Sequence, residues 1–212
     1  MTLQNWIQNG EARLRAGPHP ERARRDAETL VLHLTRRDRA FLIANPLAEL
    51  SAEGAVRYYA LIERRLAGEP IQYIIGEAEF YGLPFHVNRD VLIPRPETEH
   101  MVEKVLALAA NFERPRIVDV GTGSGAIAIA LAHELPGALI TAVDVSAAAL
   151  AIARGNAERN SVGDRIRLNK ELVTRQSYRD QAVAGKRYEY WIQAVDARGN
   201  ESLAIRTESE SR

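Results

Sequence analysis

One stretch of the sequence, IVDVGTGSGAIAIALA at residues 117–132, constrains the fold of this chain more than any other. It predicts a short buried strand and an apolar helix, joined by a turn with glycines at 121, 123 and 125. These glycines permit a sharp turn and close approach of a ligand, and the amides that open the next helix favour an electron-rich group. The following strand, ALITAVD, ends at Asp144, whose carboxylate can accept hydrogen bonds from ribose hydroxyls. Together these features predict a parallel α/β sheet that binds a ribose-containing cofactor.

The glycine pattern alone leaves two classes of cofactor open. Gly121-x-Gly123-x-x-Ala126 satisfies the relaxed dinucleotide fingerprint, and Asp144 lies at a suitable distance for it. Asp119, two residues before the first glycine, favours S-adenosylmethionine, because a carboxylate repels a pyrophosphate but can help to orient a cationic sulfonium. We therefore predict S-adenosylmethionine as the cofactor, with a nicotinamide dinucleotide as the less favoured alternative. The predicted cofactor-binding residues are Asp119, Gly121, Thr122, Gly123, Ser124, Gly125 and Asp144.

The segments on either side of this turn differ in their periodicity. Residues 1 to about 70 carry apolar positions at helical spacing and predict a helical bundle. Its clearest helix begins at the N-cap Ser51 and stops before Gly68 and Pro70. The apolar stripe predicted for that helix comprises Val56, Tyr59, Ala60 and Leu66.

Residues 71–91 predict short strands around a turn at residues 82–84, and Pro96 opens another helix through about Asn111. After the strand that ends at Asp144, a helix capped by Ser146 leads to a short third strand near Arg165. This alternation of strands and helices is typical of a parallel sheet covered by helices.

Composition narrows the classes of function. The 28 basic and 28 acidic residues balance, so no global field argues for nucleic acid or an anionic membrane as a partner. The chain has no cysteine, no signal-like start and no apolar run of the roughly 18 residues that span a bilayer, so we expect a cytoplasmic protein. The histidines lack ligand spacing, and no metal site is predicted. They stand at positions 19, 33, 86, 100 and 133.

Three segments closely resemble the release-factor glutamine N5-methyltransferases: RLAGEPIQYIIGEAEFYGLPFHVNRDVLIPRPETEHMVEKVL, IVDVGTGSGAIAIALA and AVDVSAAALAIARGNAERN. The resemblance runs from residue 1 to about 168 and includes a small N-terminal helical domain. It implies a class I methyltransferase that uses S-adenosylmethionine to methylate the glutamine of the Gly-Gly-Gln motif in peptide chain release factors. It also implies that the cofactor lies over Gly121 to Gly125, with its ribose held by Asp144. The residues it implies near the active site are Pro94, Arg95, Pro96 and Glu97.

One part of the family pattern is missing. The family's acceptor site is an Asn-Pro-Pro-Tyr motif after the fourth strand, whereas the last proline here is Pro136 and the only Asn-Pro pair is Asn45-Pro46. No catalytic residue is therefore assigned, and we expect methyl transfer to be impaired or absent in this chain. The alternative function is a non-catalytic protein that binds a cofactor or a partner and uses the C-terminal β segment as an interaction surface.

The C-terminal segment SYRDQAVAGKRYEYWIQAVDARGNES resembles the second half of a fibronectin type III domain, with Tyr188 as the tyrosine-corner residue. It predicts an antiparallel hairpin with turns at residues 184–185 and 198–200. We also expect this hairpin to pair with the bare edge of the first parallel strand.

The predicted fold class is thus α/β, with an N-terminal helical bundle, a partial Rossmann-like class I methyltransferase sheet and a short antiparallel β tail. The predicted boundaries are 1–70 for a substrate-recognition bundle, 71–113 for a hairpin linker and helix, 114–168 for the partial sheet and 169–212 for the tail.

Overall fold

The computed structural model describes residues 1–169, together with the backbone of residues 187–192 and 205–210. Its first part is a bundle of α1 (Leu3–Leu14), α2 (Ala23–Thr35), α3 (Arg39–Ala44) and α4 (Ala52–Leu66). Apolar side chains from these helices meet in one buried cluster. The cluster includes Leu3, Trp6, Ile7, Leu14, Leu30, Val31, Leu42, Tyr58 and Ile62. The predicted helical bundle is confirmed.

Helix α4 starts where the sequence predicts but buries a different face. Ser51 caps it by accepting a 3.0 Å hydrogen bond from the amide of Gly54. The predicted stripe is wrong except at Leu66, which packs against the cluster. Val56 is 72% exposed, and the buried residues include Tyr58 and Arg65. Arg65 occupies a core position because its guanidinium pairs with the equally buried Asp26 at 2.7 Å. A buried face that includes an arginine does not read as apolar in the sequence.

The segment that follows α4 combines a short helix with a hairpin. Residues predicted as strand form instead α5 (Ile71–Ile75), which opens after Pro70 and ends at Gly76 in a left-handed conformation. Strands β1 (Glu77–Phe80) and β2 (Leu83–His86) then pair antiparallel, with Phe80 opposite Leu83. The turn lies at residues 81–82, so it begins one residue and ends two residues earlier than predicted, with φ of 53° at Tyr81 and 70° at Gly82.

Ion pairs connect the bundle to the loop after β2. The side chain of Glu69 accepts hydrogen bonds from Arg64 of α4, at 2.7 and 2.8 Å, and from Arg89 at 3.2 Å. The hydrogen bonds from Arg64, followed by the one from Arg89, lower the pKa of Glu69 to about 2. The carboxylate of Glu69 therefore joins the end of α4 to the loop that contains Arg89.

A parallel sheet follows the hairpin. A helical turn at Pro96–Thr98 leads into α6 (Glu99–Ala109), and the chain continues through β3 (Arg116–Val120), α7 (Ala126–Glu134), β4 (Leu139–Val143), α8 (Ala147–Arg159) and β5 (Ile166–Asn169). The strands lie in the order β3-β4-β5, with Val118 beside Thr141 and Ala142 beside Leu168. Helix α7 is almost entirely buried, α6 packs against it, and α8 contacts β2. The predicted parallel α/β arrangement is confirmed.

Two further strands lie in the tail. Strand β6 (Arg187–Ile192) pairs antiparallel with β7 (Ile205–Glu210), as expected for a hairpin. Among the described residues neither of them joins the β3-β4-β5 sheet, so the expectation that the tail covers the edge of β3 is wrong. The turns predicted at 184–185 and 198–200 lie outside the described residues. No helix in the described part of the chain is long and apolar enough to cross a membrane.

Candidate functional site

The turn between β3 and α7 is held in place by the end of the neighbouring strand β4. The amides of Gly121 and Thr122 both donate to the carbonyl oxygen of Val143, at 2.8 and 3.0 Å. The amide of Gly123 donates to Oδ2 of Asp144 at 2.8 Å, and the amide of Ser146 donates to Oδ1 at 2.8 Å. Each carboxylate oxygen has a further lone pair, so Asp144 can accept ligand hydroxyls while it keeps these bonds. The turn is therefore preformed around the group predicted to bind a ribose.

The three glycines of the turn serve two different purposes. All have positive φ, at 78° for Gly121, 54° for Gly123 and 83° for Gly125. A Cβ at Gly121 would meet no atom within 4 Å, and at Gly123 it would meet only the oxygen of Gly121 at 4.0 Å. A Cβ at Gly125 would lie 2.9 Å from Cδ1 of Ile129 and 3.2 Å from Cβ of Ala153. The first two glycines thus border open space that a ligand can occupy, whereas the third allows α7 and α8 to pack closely.

Asp119 lies under this turn and is bonded within it. Its carboxylate accepts a 2.6 Å hydrogen bond from the hydroxyl of Thr122 and another from the amide of Ala128, near the start of α7. Burial raises the pKa of Asp119, opposed by these two hydrogen bonds, and the charge of Asp144 raises it further. Two neighbouring carboxylates therefore make the turn a poor site for a phosphate and a favourable one for a cation.

Sequence reasoning did not identify Asn156 of α8, which contacts this turn. Its fully buried side chain donates through Nδ2 to the carbonyl oxygens of Ser124 and His86, both at 2.9 Å. Its Oδ1 accepts from the amide of His86 at 2.6 Å. The two partners lie 32 and 70 residues away in the chain, so no local spacing could have indicated these contacts.

The structure brings the predicted cofactor-binding residues together, from Asp119 through the glycines to Asp144. Pro94, Arg95, Pro96 and Glu97 lie elsewhere, in the segment that leads into α6. That segment is tied to the hairpin, because Oε1 of Glu99 accepts a 2.8 Å bond from the amide of Tyr81. In the described ranges no cluster of three or more His, Cys, Asp or Glu side chains is arranged to hold a metal ion.

Two family models match this chain. The PrmC N-terminal domain matches residues 5–76, and the ribosomal protein L11 methyltransferase (PrmA) matches residues 97–185. The first match covers the helical bundle and the second covers the glycine turn.

Curated relatives match over longer stretches. The release factor glutamine methyltransferase of Koribacter versatilis (strain Ellin345) is 48% identical over 159 residues, which are 75% of this chain and 56% of that protein. The release factor glutamine methyltransferase of Escherichia coli (strain K12) is 41% identical over 189 residues, which are 89% of this chain and 64% of that protein.

Solved structures match over shorter stretches. An SAM-dependent methyltransferase from Geobacter sulfurreducens in complex with S-adenosyl-L-homocysteine is 29% identical, with a TM-score of 0.28 over 34% of this chain and 28% of that one. A similarity of this extent supports no inference by itself.

The curated relatives cover most of this chain, but the chain spans only 56% and 64% of the two relatives named above. Their identities to this chain are 48% and 41% over the 159 and 189 residues that match. Over most of its length this chain is therefore similar to the release factor glutamine methyltransferases, and its residues 5–76 match the PrmC N-terminal domain.

Proposed function

We propose that this chain binds S-adenosylmethionine at the turn between β3 and α7. The observation that carries the proposal is the open space beside Gly121 and Gly123, bordered by the carboxylate of Asp144. The glycines let the ligand approach the backbone, and Asp144 accepts hydrogen bonds from the ribose hydroxyls with its remaining lone pairs. When bound, the cofactor supplies a methyl group carried on a cationic sulfur.

The electrostatics of the turn favour this cofactor over a dinucleotide. Asp144 places a carboxylate beside the ligand space and Asp119 places a second one under the same turn, and both attract a positive charge and repel a pyrophosphate. The amides of Gly121, Thr122 and Gly123 are already bonded to Val143 and Asp144, so they are not available to cradle phosphate oxygens. Both features distinguish this turn from a dinucleotide-binding turn.

The reaction proposed for the whole protein is the N5-methylation of a glutamine side chain, in the Gly-Gly-Gln motif of peptide chain release factors. Support comes from the names of the curated relatives, which are release factor glutamine methyltransferases, and from their identity of 41 to 48% over most of this chain. We assign Pro94 to Glu97 to the neighbourhood of the reacting groups, because the family resemblance includes this segment and α6 after it packs on α7.

The acceptor side of this reaction is not supplied by the present sequence. An amide nitrogen is a weak nucleophile, so its alignment against the methyl group carries much of the catalysis. The sequence has no Asn-Pro-Pro-Tyr motif to provide that alignment. We therefore propose that this chain binds the cofactor without transferring its methyl group, which makes it a binding protein of a methyltransferase family.

Calorimetric titration with S-adenosylhomocysteine tests the cofactor proposal. We expect micromolar binding by the unaltered chain, and an affinity at least tenfold lower in Asp144→Ala. Asp164→Ala is the matched control, because this aspartate is exposed and lies in the turn before β5. A folded chain that does not bind the ligand contradicts the proposal.

A transfer assay tests the second statement. Purified release factor is incubated with the chain and methyl-labelled S-adenosylmethionine, and we expect no label on the release factor. Labelling of its Gly-Gly-Gln glutamine would show that the acceptor site is present after all, while the cofactor proposal would stand.

A further inference from the structure

The side chain of Asn156 connects two parts of the fold that meet beside the cofactor turn. It reaches the carbonyl oxygen of Ser124 within the turn, and both backbone groups of His86 at the end of β2. We propose that Asn156 is a positioning residue, which fixes the turn in its binding conformation and couples it to the docking of the β1-β2 hairpin. The inference rests on the proposed function, since it takes the turn as the cofactor site.

The set of contacts requires an amide side chain. Oδ1 accepts one hydrogen bond from an amide, whereas Nδ2 donates two bonds to carbonyl oxygens. An ionised carboxylate can only accept, and an apolar side chain can do neither. Because Asn156 and its bond to Ser124 are buried, a substitution that removes this donor leaves the carbonyl oxygen of Ser124 without its buried partner.

The position of Ser124 explains why this bond affects the ligand space. Ser124 lies between Gly123, which borders that space, and Gly125, which begins the contact between α7 and α8. Fixing the carbonyl of Ser124 therefore fixes the peptide plane at the point where the turn becomes a helix. The same side chain also bonds to His86, so a movement of the hairpin would shift Asn156 and alter its hydrogen bond to the turn.

Asn160, one helical turn further along α8, provides a matched control. Its Nδ2 donates to the carbonyl oxygen of Pro84 at 2.9 Å, and to that of Asn156 at 2.9 Å. It thus contacts the same hairpin from the same helix without reaching the turn. Asn160→Asp makes the same chemical change as Asn156→Asp but leaves the bond to Ser124 intact.

The test is a titration of the full chain and both variants with S-adenosylhomocysteine at pH 9 and pH 5.5. At pH 9 the carboxylate of Asn156→Asp faces two carbonyl oxygens, and we expect an affinity at least tenfold below the unaltered chain. At pH 5.5 the protonated carboxyl can donate to one of these oxygens and still accept from the amide of His86. The deficit relative to the unaltered chain at the same pH should then shrink by about fivefold or more.

The control and a second variant keep the inference open to refutation. Asn160→Asp should bind within about twofold of the unaltered chain at both pH values. Asn156→Ser, whose hydroxyl can reach at most one carbonyl, should lose at least fivefold in affinity. The inference is wrong if Asn156→Asp binds like the unaltered chain at pH 9, if its deficit does not shrink at pH 5.5, or if Asn160→Asp shows an equal deficit.

Hydrogen exchange without ligand separates this inference from the proposed function. We expect the amide of Gly125, which donates to Thr122, to exchange at least tenfold faster in Asn156→Asp than in Asn160→Asp. If the unaltered chain binds no ligand, the proposed function fails, but this comparison still decides whether Asn156 holds the turn. Equal exchange in the two variants would overturn the inference.

Discussion

Replacing Gly125 by alanine should destabilise the parallel sheet far more than the same change at Gly121. Both glycines have similar positive φ, at 83° and 78°, so both alanine variants adopt the same unfavourable backbone region. That conformation costs an L-residue about 1 to 2 kcal/mol. The two positions differ in what the new methyl group meets.

At Gly125 the new Cβ would lie 2.9 Å from Cδ1 of Ile129 and 3.2 Å from Cβ of Ala153. Forcing an extra methyl group into a packed core costs about 1 to 3 kcal/mol. We therefore expect Gly125→Ala to lower the free energy of unfolding by about 2 to 5 kcal/mol, against about 1 to 2 kcal/mol for Gly121→Ala. For a domain whose stability is about 5 to 15 kcal/mol, the larger loss can be a substantial fraction of the total.

Urea denaturation followed by circular dichroism measures the stability of both variants, and calorimetry measures their affinity for S-adenosylhomocysteine. Gly121→Ala should keep most of its stability but bind at least tenfold more weakly, because its methyl group enters the ligand space. Equal loss of stability in the two variants would refute the argument from contacts. Unchanged binding by Gly121→Ala would refute the assignment of the open space to a ligand.

Two further predictions concern charge. The lowered pKa of Glu69 means that its ionised form stabilises the fold above about pH 4.5, and that this stability is lost as the pH falls toward 2. In urea denaturation, Glu69→Gln should lose less free energy of unfolding between pH 5 and pH 3 than the unaltered chain does. The control Glu63→Gln, which removes an exposed ion pair with Arg13, should lose as much as the unaltered chain. An equal loss in all three proteins would contradict this prediction. In calorimetry at pH 8, Asp119→Asn should weaken the binding of S-adenosylmethionine, whose sulfur is cationic, by about threefold or more relative to that of S-adenosylhomocysteine, whose sulfur is uncharged. An unchanged ratio of the two affinities would show that Asp119 acts only within the turn.

Elements with strong local signals could be predicted from the sequence. Ser51 and Ser146 cap their helices because a hydroxyl at the N-cap satisfies a free amide, whatever the rest of the fold does. The glycines at 121, 123 and 125 and the apolar strands on either side likewise specify a strand, a turn and a helix. These signals depend on neighbouring residues alone, so the elements they predict form in the folded chain.

The errors arose where a distant partner decides the outcome. Arg65 is buried because Asp26 neutralises it, so the buried face of α4 passes through an arginine and leaves Val56 in solvent. Residues 71–75 form a helix because Pro70 opens it and Ile74 packs into the core of the bundle, although the β-branched residues there favour a strand. In both cases tertiary contacts outweigh local propensity.

The cofactor turn also combines a local sequence signal with contacts that the sequence does not show. Its glycines are visible in the sequence, but most of the contacts that hold it come from Val143, Asp144 and Asn156, which follow it in the chain. Asn156 stands in an alanine-rich helix, where an asparagine carries no recognisable pattern. Only the folded chain shows that this residue supplies a bond to the turn.

These partners also bear on whether cofactor binding can exist without methyl transfer. The contacts that hold the turn come from residues 119–156 and from the hairpin at His86, all within the described part of the chain. None of them requires the strand and acceptor motif that follow the third strand in the family. The contacts that organise the cofactor turn therefore form without any acceptor residue. A chain with this turn and no acceptor motif should bind the cofactor and leave its methyl group in place, which is the behaviour that titration and transfer assays together distinguish.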